Sequence, residues 1–399
     1  MTRRFSSVLR FEELIAPVKL SEFYERYWER EVLHLPAVDA KKFSDLLTVA
    51  DLDSYLSRSD LRSPALRLIK SGTQIPVESY TTTFSLGGQQ SRDLIRTDRV
   101  LAHYRSGATI LIQLAHWSLP TLQPFAAQLR KFFSFNVELN VYLTPPNAQG
   151  FSAHFDTHSV FILQLAGNKS WQLHGTRPVQ PLLEDRFDET TEKPGAVEAE
   201  IELTPGSFLY VPRGKFHSAK ANSQPSLHVT VGLFPPTWLD IFQQRLVQMK
   251  TDGRFRRAPT PTETSTLADL VGAFGRDFSF DAVRSVISSN NLSVEGQPSL
   301  GRLIDAIGVE SLSLRTTLRV RHEAGVALVN HNEKLSVRGI GAEVTLPKRA
   351  GQFVSEILRM QNDFRLEEIE AGLDGHSALV VARALLKEGV LALSGPEAA

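Results

Sequence analysis

At 399 residues the chain is longer than one hydrophobic core usually supports, so two or three domains are expected. Apolar residues make up 42% and charged residues 22%, which excludes a disordered chain, and 44 basic side chains cancel 44 acidic ones, which leaves no global pull toward nucleic acid or an anionic membrane. Cysteine is absent, so disulfides, thiolate metal sites and cysteine nucleophiles are excluded, and any metal must be held by His, Asp or Glu.

The opening stretch MTRRFSSVLRFEEL has basic residues but no apolar segment behind them, and nothing in the chain approaches the ~18 to 20 apolar residues of a membrane span. An intracellular, cytoplasmic protein with no membrane partner is expected. From Phe11 to about Ser57, stretches such as LSEFYERYWE and FSDLLTVADLDSYL place apolar residues three and four apart, the helical period. The next clear strands begin near Ala108. ATILIQL, FNVELNVYLTP, HSVFILQLAG, KSWQLHG, AEIELTP, SFLYVP, KFHSAKA and SLHVTVGLF follow at short intervals, separated by Gly, Pro, Asn and Ser. Many short strands with almost no helix between them predict a sandwich or barrel.

After FPPTWLD the texture changes: IFQQRLVQMK, TSTLADLVGAF and FDAVRSVISSN read as helices, with the polar link RRAPTPTETS between the first two. From about Gly301, strands around GVALVN, KLSVRG and AEVTL precede helices around RAGQFVSEILRM and HSALVVARALLKEG. The reading divides the chain into a β-barrel with entry helices (1–236), a helical middle (237–300) and a small mixed module (301–399), with no internal repeat and no low-complexity tract.

The chemistry concentrates in HFDTHSVFILQLAGNKSW. In an extended segment His154, Asp156 and His158 share a face, immediately before an apolar strand. Strand FNVELNVYL alternates, with Val137, Leu139, Val141 and Leu143 apolar and Asn136, Glu138, Asn140 and Tyr142 opposite; in a small barrel such a polar face can line a cavity, although in most sheets it meets water. His217 follows a Pro-Arg-Gly turn 61 residues beyond Asp156, far enough for several strands to bring the chain back. His154, Asp156 and His217 would then form a two-His, one-carboxylate face that leaves open positions on an octahedral ferrous ion. The plain alternative is that a His-x-Asp pair and a strand-end His arise without any metal.

These residues reach a family. HFDTHSVFILQLAGNKSWQLH, preceded by NVYLTPPNAQGFSA and followed by VPRGKFHSAKA and LHVTVGL, resembles the JmjC-type cupin dioxygenases, in particular their ribosomal oxygenase branch. LIAPVKLSEFYERYWEREVLHL resembles that branch's entry helices, and the middle and tail resemble its dimerisation and winged-helix regions, so the resemblance covers nearly the whole chain. It implies a mainly β fold with α: a double-stranded β-helix (jelly-roll, cupin) barrel with N-terminal helices, a helical dimerisation region and a C-terminal winged-helix-like domain. It makes His154, Asp156 and His217 the iron ligands. Lys169, 13 residues after Asp156, falls where the family places a basic residue on the distal carboxylate of 2-oxoglutarate, and Asn140, Tyr142 and Thr230 match positions near that cosubstrate. A buried lysine does need an anionic partner, whereas a lysine in solvent at a strand start would need none. His158 departs from the pattern and reads as an orienting donor, a substrate contact or a turn residue packed on Phe161, with the last two favoured over a fourth ligand. His174 and His228 read as structural.

The implied activity is an Fe(II)- and 2-oxoglutarate-dependent dioxygenase, with O2 as second cosubstrate, that hydroxylates a His or Arg side chain of a ribosomal protein. Rival readings are a hydroxylase of another peptide or small molecule, a histone-type demethylase, a cupin that binds or senses without catalysis, and a zinc or manganese cupin enzyme. The tail carries 12 Lys or Arg against 13 Asp or Glu in residues 301–399, and SALVVARALLKEG offers only Arg383 and Lys387, so a packing or protein-contact role is expected there rather than direct DNA binding. TWLDIFQQRLVQM carries an apolar face of Trp238, Ile241, Phe242 and Leu246; with the resemblance it points to a homodimer, and the alternative is a helix that caps the barrel within one chain.

Overall fold

The computed structural model describes residues 9–58, 60–250, 252–260, 265–275, 302–321, 326–331, 334–339 and 342–394. The expected helix FDAVRSVISSN lies outside them. The chain packs as two units: Met1–Leu129 with Val137–Phe234, and Arg130–Asn136 with Pro235–Ala399.

In the first unit the strands are β1 (Leu33–Leu35), β2 (Leu66–Lys70), β3 (Thr73–Gln74), β4 (Thr81–Leu86), β5 (Gln89–Ile95), β6 (Thr109–Ile112) and β7 (Asn136–Thr144). There follow β8 (Ser159–Ala166), β9 (Lys169–Thr176), β10 (Ala199–Leu203), β11 (Phe208–Val211), β12 (Lys215–Ala221) and β13 (Ser226–Phe234). One sheet runs β1-β11-β8-β13-β7-β6-β2-β3 and a second runs β10-β9-β12. Consecutive strands β8 and β9 therefore lie in different sheets, as do β12 and β13. Val160, Ile162, Leu209 and Val211 of the larger sheet share one buried cluster with Trp171, Leu173 and Leu203 of the smaller, so the two sheets pack face to face.

The apolar run of β8 follows from burial on both faces. Val160 and Ile162 face the inter-sheet core, while Phe161 stacks on Phe11 of the helix Phe11–Ile15 with ring centroids 5.5 Å apart. Phe23 meets Tyr210 of β11 edge-on at 5.2 Å, so the N-terminal segment covers the outer face of the larger sheet.

Two expectations need correction. Strands do not begin at Ala108: β1 to β5 precede it, and TTTFSLGGQQSRD forms the hairpin of β4 and β5, turned by Gly87 and Gly88, both at positive φ. Nor is the strand region free of helix, because Gln123–Phe133 is helical between β6 and β7. QPFAAQLRKFF holds a proline near its start, where no backbone donor is needed, and buries Phe125, Ala126, Leu129 and Phe133 at helical spacing.

The second unit contains helices Trp238–Met249, Ser265–Gly275 and Arg302–Gly308, then β14 (Thr317–Val320), β15 (Ala327–His331), β16 (Lys334–Gly339), β17 (Ala342–Pro347), β18 (Phe364–Arg365) and β19 (Leu391–Leu393). Sheets β18-β14-β19 and β15-β16-β17 pack with helices Gly351–Arg359 and Gly375–Lys387 around Leu318, Val337, Phe353 and Leu385. Arg321 and Asp305 form a buried ion pair in this unit.

Candidate metal and dicarboxylate site

Backbone hydrogen bonds bring the two histidines together before any metal is considered. His154 N–H donates to the His217 carbonyl at 3.1 Å and His217 N–H donates back to the His154 carbonyl at 2.8 Å. The Pro-Arg-Gly turn fixes the third residue: Gly214, at φ +78°, donates its N–H to the Asp156 carbonyl at 3.0 Å. A Cβ at Gly214 would meet Pro181 Cδ at 2.9 Å, so the close approach as well as the backbone angle selects glycine.

Each imidazole engages Nδ1 with a backbone carbonyl, His154 with Ser152 at 2.8 Å and His217 with Lys215 at 2.9 Å. A carbonyl accepts only, so Nδ1 carries the proton and Nε2 keeps a lone pair. His154 Nε2 lies 3.9 Å from Asp156 Oδ1, and His217 Nε2 lies 3.6 Å from Asp156 Oδ2. Two metal–ligand bonds of ~2.1 Å span at most ~4.2 Å, so one ion can bridge either pair. Among the described residues, these three form the cluster of ligand atoms able to hold an ion.

The electrostatics suit a cation. Burial pushes the Asp156 carboxyl up, but His158, His154 and His217 outweigh it and hold the group below its ordinary value. Burial, with His154 beside it, pushes His217 down to about 4, so at neutral pH its ring is uncharged and its Nε2 is available.

The triad opens on a cavity of about 220 Å³. Every residue that sequence reading singled out for the site lines it: His154, Asp156, His217, Lys169, Asn140, Tyr142 and Thr230. Of the polar face of β7, Asn140 and Tyr142 therefore meet a cavity rather than bulk water. Asn140 Oδ1 accepts from Leu114 N–H at 3.0 Å, which fixes its amide. Tyr142 is bonded to the Thr230 hydroxyl, and burial, followed by Asp156, holds its phenol well above the ordinary value, so it remains a donor.

Lys169 is not a solvated lysine. It is only 4% exposed, its Nζ donates to Thr144 Oγ1 at 3.1 Å, and burial pushes its pKa down to about 7. No carboxylate ion-pairs with it among the described residues, so a buried cation at the cavity wall lacks the counter-charge that burial demands.

Two polar wall residues, Thr109 and His228, were not assigned to the site from the sequence. Thr109, on β6, lines the cavity and donates to Thr144 at 3.2 Å, completing a short polar chain to Lys169. His228 is not merely structural: it lines the cavity, stacks on Tyr142 with centroids 4.8 Å apart, and is kept neutral by burial and by Lys169. Its position two residues before Thr230 on β13 was the available signal. His174, by contrast, does not line the cavity and contacts the Gly195 carbonyl at 3.2 Å. His158 lines the cavity but stacks on Phe234, with centroids 4.4 Å apart, rather than on Phe161, and it stands outside the ligand cluster.

Residues 117–241 match the model of the JmjC domain. The chain is 31% identical to human ribosomal oxygenase 1 over 261 residues, 62% of this chain and 38% of the human protein. It is 30% identical over 244 residues to the bifunctional lysine-specific demethylase and histidyl-hydroxylase NO66 of Aedes aegypti, 59% of this chain and 36% of that one. The matches thus span well under half the length of these curated relatives. In fold the chain is similar to the ribosomal oxygenase YcfD of Escherichia coli, with a TM-score of 0.56 at 16% identity over 94% of this chain and 98% of that one. A structure of YcfD with cobalt and 2-oxoglutarate is similar to the same extent, with a TM-score of 0.55 at 15% identity over 95% and 99%. Residues 117–241 of this chain are thus a JmjC domain, and the fold of the chain is similar to that of the ribosomal oxygenase YcfD.

Proposed function

We propose that this chain is an Fe(II)- and 2-oxoglutarate-dependent dioxygenase that hydroxylates a His or Arg side chain of a ribosomal protein, and that it acts in the cytoplasm as a homodimer. The observation that carries the reading is the buried Lys169 without a carboxylate partner, in the same cavity as a two-His, one-Asp cluster. The homologues named as ribosomal oxygenases, and the YcfD structure with cobalt and 2-oxoglutarate, support the choice of metal, cosubstrate and substrate class.

His154, Asp156 and His217 would hold the ferrous ion, which with dioxygen and 2-oxoglutarate supplies the oxidising chemistry. The chain's own contribution is arrangement. Backbone carbonyls on both Nδ1 atoms hold the imidazoles in the metal-binding tautomer. Lys169 supplies the charge that a distal carboxylate needs, and the Tyr142 phenol and the Thr109–Thr144 hydroxyl pair offer donors around it. Trp171, Val160 and Ile162 make the intervening wall apolar, which limits water near the metal face.

Residues 301–399 are read as a winged-helix-like domain that packs or contacts protein rather than DNA. In its last helix Arg383 donates to the Leu312 carbonyl at 3.5 Å and Lys387 pairs with Glu310 at 3.5 Å, so both basic residues engage their own fold. Among the described residues, no helix is long and apolar enough to cross a membrane.

The test compares intact masses of all ribosomal proteins from a strain lacking this protein with those of its parent. One ribosomal protein lighter by a single oxygen in the deletion strain is the expected result. Unchanged masses, with the purified protein still releasing succinate from 2-oxoglutarate, would move the substrate to another peptide or small molecule.

A further inference from the structure

His158 is the cavity residue that neither the metal cluster nor the dicarboxylate end uses. Its position is built. A Cβ at Gly232 would lie 2.9 Å from both Cδ2 and Nε2 of His158, so the ring occupies the space that any other residue at 232 would fill. Phe234, two residues on, stacks on the ring with an interplanar angle of 22°. Gly232 pairs with Val160 across β8 and β13, so this platform is tied to the barrel wall by strand register. The imidazole makes no hydrogen bond among the described residues, yet it lines the cavity.

The platform lies opposite the dicarboxylate end. On β13 the same face presents His228 beside Lys169, then Thr230, Gly232 and Phe234. His228 and Phe234 are six residues apart, roughly 20 Å along the strand at ~3.4 Å per residue. His154 and Asp156 precede His158 on the same face of the segment leading into β8. Lys169 and His158 therefore lie toward opposite ends of this face of β13.

We infer that His158, set against Gly232 and stacked on Phe234, is the residue that binds the target side chain and sets its orientation to the metal face, through a hydrogen bond to a planar polar group such as an imidazole, guanidinium or amide. An imidazole offers one donor and one acceptor nitrogen, and both are uncommitted to any other hydrogen bond here. Burial of a substrate group against it would leave that group unsatisfied if the nitrogens were removed, which is where discrimination of this kind is largest. The inference rests on the hydroxylase reading above and deepens it.

The test is a KM split on the purified full chain with Fe(II), using as substrate the unmodified ribosomes of the deletion strain and reading oxygen incorporation by intact mass. His158→Phe keeps the stacked ring and removes both nitrogens; His158→Gln restores a donor and an acceptor. The expected result is a KM for ribosomes raised at least tenfold in H158F and mostly recovered in H158Q, with the KM for 2-oxoglutarate and the affinity for Co(II) within twofold of the parent. Equal loss of ribosome, 2-oxoglutarate and Co(II) affinity would overturn the inference by making His158 a support for the metal face. Unchanged ribosome KM in H158F would overturn it directly, while a parent protein that releases no succinate would remove the hydroxylase reading and this inference with it.

Discussion

His154 and His217, 63 residues apart in sequence, exchange both of their backbone hydrogen bonds, at 3.1 and 2.8 Å. The bridge uses no side-chain atom, so the two imidazoles are delivered side by side by the main chain alone. Replacing either ring should then leave the bridge and the barrel in place. His154→Ala and Asp156→Ala are each expected to abolish turnover and to weaken Co(II) binding by more than ~100-fold, beyond the 10- to 100-fold typical of losing an outer partner. Near-ultraviolet circular dichroism should be unchanged in the metal-free variants; a collapsed spectrum would mean that the rings hold the barrel together.

Lys169→Met should move stability and cosubstrate binding in opposite directions. The substitution keeps the volume of a buried side chain and removes a charge that has only the Thr144 hydroxyl as hydrogen-bond partner. The unliganded protein is expected to melt at the same temperature or higher, while the KM for 2-oxoglutarate rises at least ~30-fold, in line with the ~2–5 kcal/mol that follows removal of one partner of a buried charge pair. A melting temperature that falls, with KM unchanged, would make Lys169 a structural residue.

The same lysine predicts a pH dependence with a definite sign. Burial lowers its pKa from 10.5 to about 7, so the folded protein binds fewer protons than the unfolded chain between those values. Stability of the unliganded protein from this group should rise as pH increases from about 7 to 10.5. Binding of succinate needs the ammonium and should weaken as pH rises through about 7. At pH 8 succinate binding should take up close to one proton, seen by calorimetry in buffers of different ionisation enthalpy; no proton uptake would exclude Lys169 as the anion's partner.

Much of this site was legible because strand periodicity is simple. Asn140 and Tyr142 stood out on the polar face of an alternating strand, and His154 and Asp156 on one face of an extended segment. Thr109 did not, since β6 is buried along its whole length and one hydroxyl in TILI breaks no pattern. His228 sits in the equally buried β13, where burial on both faces erases the alternation that would have marked its side. The hairpin of β4 and β5 was missed for the opposite reason: its strands are largely exposed and polar, so no apolar rhythm announces them. The pairing of His154 with His217 is an isolated bridge between the segment before β8 and strand β12, a tertiary relationship that no local window contains.

Gly167 offers a test of the turn that presents Lys169. It joins β8 to β9 at φ +61°, and a Cβ there would lie 1.9 Å from the Pro225 carbonyl oxygen, which is backbone and cannot rotate away. Gly167→Ala is expected to destabilise the barrel by about 2–4 kcal/mol, combining left-handed strain with the clash. Urea unfolding should show the lower midpoint, and the KM for 2-oxoglutarate should rise with it because Lys169 is two residues away. A midpoint within error of the parent would mean that the β12–β13 turn yields freely.

The helices of the second unit carry the oligomer prediction. Trp238 and Leu246 are eight residues apart on one helix, Leu267 and Val271 four apart on the next, and Leu303 and Ile307 four apart on a third, so each helix shows an exposed apolar stripe at helical spacing. Exposures of 55% at Leu246, 65% at Leu267 and 75% at Ile307 are unusual for three stripes on one monomer, and exposed apolar surface beyond scattered single residues points to an interaction site. If a second copy covers them, sedimentation equilibrium should give a dimer. Leu246→Glu with Leu267→Glu should then give a monomer whose affinity for Co(II) matches the parent, since the metal cluster belongs to the first unit. A parent protein that sediments as a monomer at micromolar concentration would assign the stripes to a different partner.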